Sequence, residues 1–155
     1  MIENSVLSRT SLFIDKKKLF ELTEEGKERL QKLGFMVDSG GKNQGVEHRY
    51  FIEKIREVFL PRGWFPYKEK SEIDLVIEKG DEIIAIEIET GKNKPEQTQK
   101  NVEKLVKFSA SLKFIIGTND TALAKIKNLI SGLDLPGKDS IQIAHIRDFL
   151  KAPPA

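Results

Sequence analysis

The stretch IDLVIEKGDEIIAIEIET, residues 73–90, decides the fold of this chain. Two runs rich in isoleucine, 73–79 and 82–90, are separated by Gly80-Asp81, which is typical of a tight turn between antiparallel strands. Pairing about that turn places residue 74 opposite residue 87, because each lies equally far from it. The sequence therefore predicts a β-hairpin with a fixed register.

Three acidic residues fall on one face of this predicted hairpin. Glu87 and Glu89 are two positions apart, so they point the same way, and Asp74 lies opposite Glu87. Aspartate is depleted in strands, and Ile73 and Leu75 beside it are strongly apolar. Carboxylates gathered on one face repel each other unless a cation lies between them. A hard divalent cation, Mg²⁺ or Mn²⁺, is therefore expected here.

The composition excludes several other kinds of site. The 155 residues carry a net charge of only +2 and contain no cysteine, which excludes disulfides, thiolate zinc sites and a cysteine nucleophile. The chain has only two histidines, His48 and His145, which argues against a histidine-based zinc site as well. No apolar run approaches the roughly 20 residues that span a bilayer, and the first residues do not form a signal peptide. We expect a cytoplasmic protein without a membrane segment.

The elements after residue 45 follow the order α-β-β-β-α-β-α-β, which predicts an α/β domain with a mixed sheet. A helical pattern begins at Val46 and is ended by Pro61 and Gly63. The short strand predicted in WFPYKEK, residues 64–70, contains Pro66, which makes it an edge strand or an irregular one. A helix from Pro95 and a strand over 113–119 follow the hairpin. A second helix, a final strand and a short helix complete the predicted domain.

The N-terminal part differs, and the domains are predicted as 1–36, a linker at 37–45, and 46–155. The run LFELTEEGKERLQKLGF begins like a strand and continues as a helix, with Thr23 as N-cap and Gly34 as C-cap. It resembles the trailing end of a winged-helix domain, so residues 1–36 are predicted to be a partial winged-helix-like segment. A peripheral hairpin and helix remains an equal alternative.

Residues 45–120 resemble the PD-(D/E)XK nuclease superfamily, the fold of many restriction endonucleases and of archaeal Holliday-junction resolvases. Glu47 matches the glutamate of the first helix, Asp74 the strand aspartate, and Glu87 the first residue of the Glu-x-Lys motif. Two positions depart from the family: Ile73 stands where proline is common, and Glu89 where lysine is usual. The resemblance implies a restriction-endonuclease-like αβββαβ core with a mixed central sheet.

The family resemblance also implies a function, the hydrolysis of phosphodiester bonds in DNA with the help of Mg²⁺ or Mn²⁺. The implied metal ligands are Asp74, Glu87, the carbonyl of Ile88 and Glu47, the last directly or through water. Because the motif lysine is missing, we predict that Glu89 activates the water and that Lys92 contacts the phosphate.

The helix after the hairpin predicts a nucleic-acid partner, since basic and polar groups recur on one of its faces. A merely solvated face is the alternative. The predicted contacts are Lys92, Lys94, Gln97, Lys100, Asn101, Lys104 and, from the first helix, Arg49. A second candidate for a DNA-facing patch lies near the first helix and strand, at Arg49, Arg56, Arg62, Trp64 and Tyr67, although packing in the core or at its rim is the more common role of a tryptophan.

Two other interpretations stay open at this point. The chain could be a catalytically inactive relative that binds DNA or a protein, or an α/β module with incidental carboxylates. The sequence also leaves open which form of DNA is bound. It does not decide whether the chain forms a homodimer or belongs to a larger DNA-processing protein.

Overall fold

The computed structural model describes residues 7–11, 18–34, 45–68 and 70–154. By its internal contacts the chain divides into two compact units, residues 1–49 and 50–155. No helix within the described ranges is both long enough and apolar enough to cross a membrane.

The first unit contains a two-stranded antiparallel sheet and a helix. Strands β1 (Leu7–Ser11) and β2 (Lys18–Leu22) pair, and helix α1 (Glu24–Lys32) follows. The predicted N-cap is confirmed, because the Thr23 hydroxyl accepts a hydrogen bond from the Gly26 N–H at 3.1 Å. Leu33 caps the other end, and the predicted cap residue Gly34 follows it with φ 88°. Most of the predicted linker, residues 37–44, lies outside the described residues.

The remaining chain forms the α/β arrangement that the sequence predicts. Helix α2 (Val46–Phe59) crosses the boundary between the units and ends in a 3-10 helix that contains Pro61. The strands are β3 (Phe65–Lys68), β4 (Leu75–Lys79), β5 (Glu82–Glu89), β6 (Leu112–Gly117) and β7 (Ile141–His145). The later helices are α3 (Pro95–Lys107), α4 (Asp120–Gly132) and α5 (Ile146–Lys151).

The five strands of this unit form one mixed sheet in the order β3-β4-β5-β6-β7. The pairs β3–β4 and β4–β5 are antiparallel, while β6 is parallel to β5 and β7 is parallel to β6. The predicted three-strand meander followed by a parallel strand is confirmed. So is the edge position of the strand that contains Pro66. The register at the hairpin is also the predicted one, since Leu75 pairs with Ile86.

Helices cover both faces of the sheet. On one face, α3 and α4 pack on an aliphatic cluster that includes Val76, Val102, Leu105, Ile115 and Ile126. Gly117 lets α4 approach closely, because a Cβ at this position would lie 2.8 Å from the Leu123 nitrogen.

The opposite face is aromatic. Phe149 of α5 packs on Phe114 of β6 and on Phe59 of α2, and Phe59 also contacts Trp64 edge to face. Trp64 is 3% exposed, so it belongs to the core. Its predicted alternative role in a DNA-facing patch is not supported by this position.

Candidate active site

The centre of the candidate site is the contact between Asp74 and Glu87. Asp74 lies just before β4 instead of inside it, which corrects the predicted strand start. Its carboxylate oxygen Oδ2 accepts a hydrogen bond from the Ile88 N–H at 2.9 Å, and its own N–H lies 3.4 Å from Glu87 Oε1. The two carboxyl groups also interact with each other, so the acidic side chains are neighbours across the hairpin, as the register predicts.

The chain leading into Asp74 is strained. Ser71 and Glu72, in a short 3-10 turn, have φ angles of 54° and 67°, which are uncommon for residues with a side chain. Strained backbone tends to be retained where the surrounding structure holds a functional group in place. The strain at 71–72 fits a chain that must deliver the Asp74 carboxylate to the end of β5.

Glu87 is in an environment that disfavours its charge. Its side chain is 1% exposed and faces the α3 side of the sheet, the same side as its strand partner Ile115. Burial, and after it the neighbouring charge of Asp74, raise the pKa of Glu87 to about 10. In the absence of a cation between the carboxylates, the pair therefore retains a proton at neutral pH.

Lys104 of α3 supplies a cation that the sequence did not place in this site. Its ammonium lies 3.7 Å from Glu87 Oε1 and donates a hydrogen bond to the Glu72 carbonyl at 3.0 Å. The positive charge lowers the pKa of Glu87, against the larger effect of burial. Lys104 lies three residues after Asn101, on the helix face that is turned to the sheet. This spacing is the sequence feature from which its position in the site could have been predicted.

Glu89 is enclosed by polar side chains of the following loop and helix. Its Oε1 accepts a hydrogen bond from the Asn101 amide at 2.7 Å, and its Oε2 accepts one from the Asn93 amide at 2.9 Å. The Thr98 hydroxyl lies 3.5 Å from the same Oε2. A carboxylate held in this way is buried and satisfied, which argues against the predicted role of activating a free water molecule.

We expect this network to give Glu89 a role in stability, and substitution tests it. We expect Glu89→Ala to lower the free energy of unfolding by about 1–3 kcal/mol, because buried amide donors lose their acceptor. The control is Glu82→Ala, at the exposed start of the same strand. Urea denaturation measures both variants. Equal stability of the two would show that the network contributes nothing.

The predicted nucleic-acid contacts divide into two groups. Lys92, Lys94, Gln97 and Lys100 are exposed and remain available to a partner. Asn101 is 6% exposed and bonded to Glu89, so its predicted contact with DNA is corrected: the α3 face that includes Asn101 turns toward the sheet. Gln97, for its part, donates to the Asn101 side chain at 3.2 Å.

The first turn of α2 contains the two remaining predicted residues. Glu47 is 7% exposed, and Arg49 is partly buried. Both belong to the first compact unit, so their predicted roles as metal ligand and DNA contact stay predictions.

Asp74 and Glu87 form a pair of carboxyl groups, which is fewer than a complete set of metal ligands. Across residues 7–11, 18–34, 45–68 and 70–154, no group of three or more His, Cys, Asp or Glu side chains is placed to hold a metal ion. Mg²⁺ is commonly held by one or two carboxylates together with water and phosphate oxygens. The adjacent carboxylates of Asp74 and Glu87 fit that smaller requirement, and Glu89 is occupied elsewhere.

Comparison with known proteins gives one similarity. Residues 61–135 match the model of a family described as a domain of unknown function, DUF4143. The matched stretch includes Asp74, Glu87, Glu89 and Lys104. No curated protein and no solved structure matches the chain.

Proposed function

We propose that the chain is a metal-dependent DNA nuclease of the PD-(D/E)XK type, whose site is Asp74, Glu87 and Lys104. The observation that carries the proposal is the buried Glu87, which has both the Asp74 carboxyl group and the Lys104 ammonium as neighbours. Two acidic groups held together in a buried place repel each other when both are ionised, and a bound cation would relieve that repulsion, which supports the proposal. The winged-helix-like nature of the N-terminal unit belongs to the same proposal.

The roles within the site follow from its charges. Asp74 and Glu87 would hold a Mg²⁺ or Mn²⁺ ion, with the Ile88 carbonyl as a further ligand. When bound, such an ion polarises the scissile phosphate and lowers the pKa of an attacking water molecule. Lys104 takes the place of the lysine missing from position 89, and its ammonium stabilises the negative charge that develops on the phosphate. The exposed Lys92, Lys94 and Lys100 would contact the DNA backbone.

A second candidate function is supported by the completeness of the polar contacts. Glu87 can hold a proton, Lys104 lies beside it, and Glu89 has its own donors, so the network is satisfied by the protein alone. This arrangement favours a catalytically inactive relative that binds DNA or a protein partner.

A nuclease assay separates the two functions. The protein is incubated with single-stranded DNA, blunt duplex, nicked duplex and a four-way junction, each with Mg²⁺, Mn²⁺ or chelator. Cleavage of at least one form that requires the metal is expected. DNA binding without cleavage under every condition would instead establish the inactive relative.

Metal binding can be tested without any assumption about DNA. Millimolar Mg²⁺ or Mn²⁺ should raise the melting temperature of the wild type, because a ligand that binds the native state stabilises it. Asp74→Asn should abolish the increase. The matched control is Asp81→Asn, which removes the same charge from the exposed hairpin turn. Differential scanning calorimetry measures the melting temperatures. An equal increase in melting temperature in Asp74→Asn and wild type would contradict the metal assignment.

A further inference from the structure

A cleft of about 380 Å³ lies between the loop after β5, the start of α3 and helix α4. Its size falls within the range of about 300–1,000 Å³ that is usual for small-molecule sites. The cleft is lined by Asn93, Pro95, Thr98, Lys125, Asn128 and Leu129. The nuclease roles proposed above use none of these side chains.

The lining has the chemistry of a site for a flat, anionic ligand. Pro95 and Leu129 offer apolar surface to a ring, while the Asn93 and Asn128 amides can each donate and accept hydrogen bonds. Lys125 adds a positive charge to the lining. A nucleoside phosphate combines these requirements, since it has an apolar ring face, a hydrogen-bonding ring edge and a negative charge.

The charge around the cleft supports an anionic ligand. Lys92 and Lys94 flank Asn93 and are exposed, and Lys125 is exposed on α4. Within the described part of the chain, none of these three lysines forms an ion pair with a carboxylate. Their charge is therefore available to a phosphate group.

The cleft lies next to Glu89, which is two residues from Glu87 on the same strand. Asn93 and Thr98 line the cleft and also contact Glu89 Oε2. The loop that contains Asn93 follows the carboxyl end of β5, beside the parallel strand β6, and Thr98 lies near the start of α3. Ligands usually bind at this edge in α/β sheets. A strand of DNA bound at the carboxylates could thus continue into the cleft.

The loop is held in place before any ligand binds. The Lys125 ammonium donates to the Gly91 carbonyl at 2.8 Å, and the Asn119 side chain donates to the Thr90 carbonyl at 3.0 Å. A preformed site loses less conformational entropy on binding. The Lys125 ammonium also retains two further donors for a ligand.

We propose that this cleft binds one unpaired nucleotide of the DNA strand. The base would lie against Pro95 and Leu129, with its edge at the two asparagine amides and its phosphate near Lys125. The proposal rests on the proposed function in taking DNA as the substrate. It narrows the substrate class to DNA with unpaired bases beside the scissile phosphate, such as single strands, flaps or open junctions.

The test measures binding in chelator, where no cleavage occurs. A fluorescent ten-residue oligothymidylate is titrated by anisotropy, and thymidine 5′-monophosphate by NMR shifts of the cleft amides. Lys125→Ala should weaken oligonucleotide binding by about fivefold or more, the effect of one charge-assisted hydrogen bond. Lys127→Ala is the matched control, because it removes the same charge two residues away on α4, outside the cleft. Asn128→Ala should also weaken binding without any change in net charge.

The possible outcomes separate this proposal from the proposed function. If Lys125→Ala and Lys127→Ala weaken oligonucleotide binding equally, the proposed nucleotide site in the cleft is overturned. The same conclusion follows if the oligonucleotide binds no more tightly than a blunt duplex. The monophosphate bound as tightly as the oligonucleotide would assign the cleft to free nucleotides and also overturn the proposal. If Lys125→Ala loses oligonucleotide binding but the wild type never cleaves DNA, the proposal that the cleft binds a nucleotide stands and the proposal of nuclease activity is refuted.

Discussion

Glu87→Gln should make the metal-free protein more stable at alkaline pH, by about 3–5 kcal/mol at pH 8. The reason is the proton on Glu87, whose pKa rises from 4.5 to about 10 because of burial and then of Asp74. Below pH 4.5 the proton is bound in both the folded and the unfolded chain. Between these two values only the unfolded chain releases it, so each pH unit lowers the free energy of unfolding by about 1.4 kcal/mol. Glutamine resembles the protonated acid and does not titrate.

The measurement is urea denaturation in chelator at several pH values between 5 and 9. Wild-type stability should fall as the pH rises, and Glu87→Gln should largely remove the decline. Glu82→Gln, at the exposed end of β5, is the control and should follow the wild type. The same pH dependence in wild type and Glu87→Gln would show that Glu87 is already ionised in the metal-free protein.

Lys104→Ala should lower the turnover of DNA cleavage by about 100-fold at saturating DNA, the usual loss when one group that stabilises a developing charge is removed. Its ammonium is the cation that lies beside Glu87 in the structure. Removal of that charge also raises the pKa of Glu87 further. The pH at which turnover reaches half of its maximum should therefore move to a higher value. A shift in the pH profile of turnover distinguishes this role from a purely structural one.

Lys107→Ala is the matched control, since Lys107 is exposed one turn further along α3. It should reduce affinity for DNA at low salt and leave turnover unchanged. If Lys104→Ala and Lys107→Ala behave alike while Lys92→Ala abolishes turnover, the phosphate cation is Lys92, as the sequence alone predicts.

Much of the fold could be predicted because its signals are local. The alternation of Ile and Glu in β5 and the turn at 80–81 were enough to fix the register that brings Asp74 to Glu87. Pro66 indicated the edge strand, and Thr23 indicated the start of α1. Each depends on backbone geometry within a few residues, which the sequence displays directly.

The partners of the acidic residues could not be predicted in the same way. Lys104 and Asn101 lie on a helix whose rotation about its axis decides which side chains meet Glu87 and Glu89. That rotation follows from the packing of Val102 and Leu105 on the sheet, a tertiary interaction. Polar residues on the inner side of α3 resemble a solvated or DNA-binding face until the acceptors beneath them are known.

The outer edge of the sheet has a consequence for self-association. Strand β3 exposes Phe65 and Tyr67, with 64% and 44% of their surfaces accessible, on an edge that has no neighbouring strand among the described residues. At an open apolar edge of this kind a strand of a second chain can pair with the sheet, which leads to aggregation of the protein. Pro66 removes one backbone donor between the two aromatic residues, and Lys68 places a charge at the end of the strand. The chain can therefore expose an aromatic edge to solvent while resisting growth of the sheet from one molecule to the next.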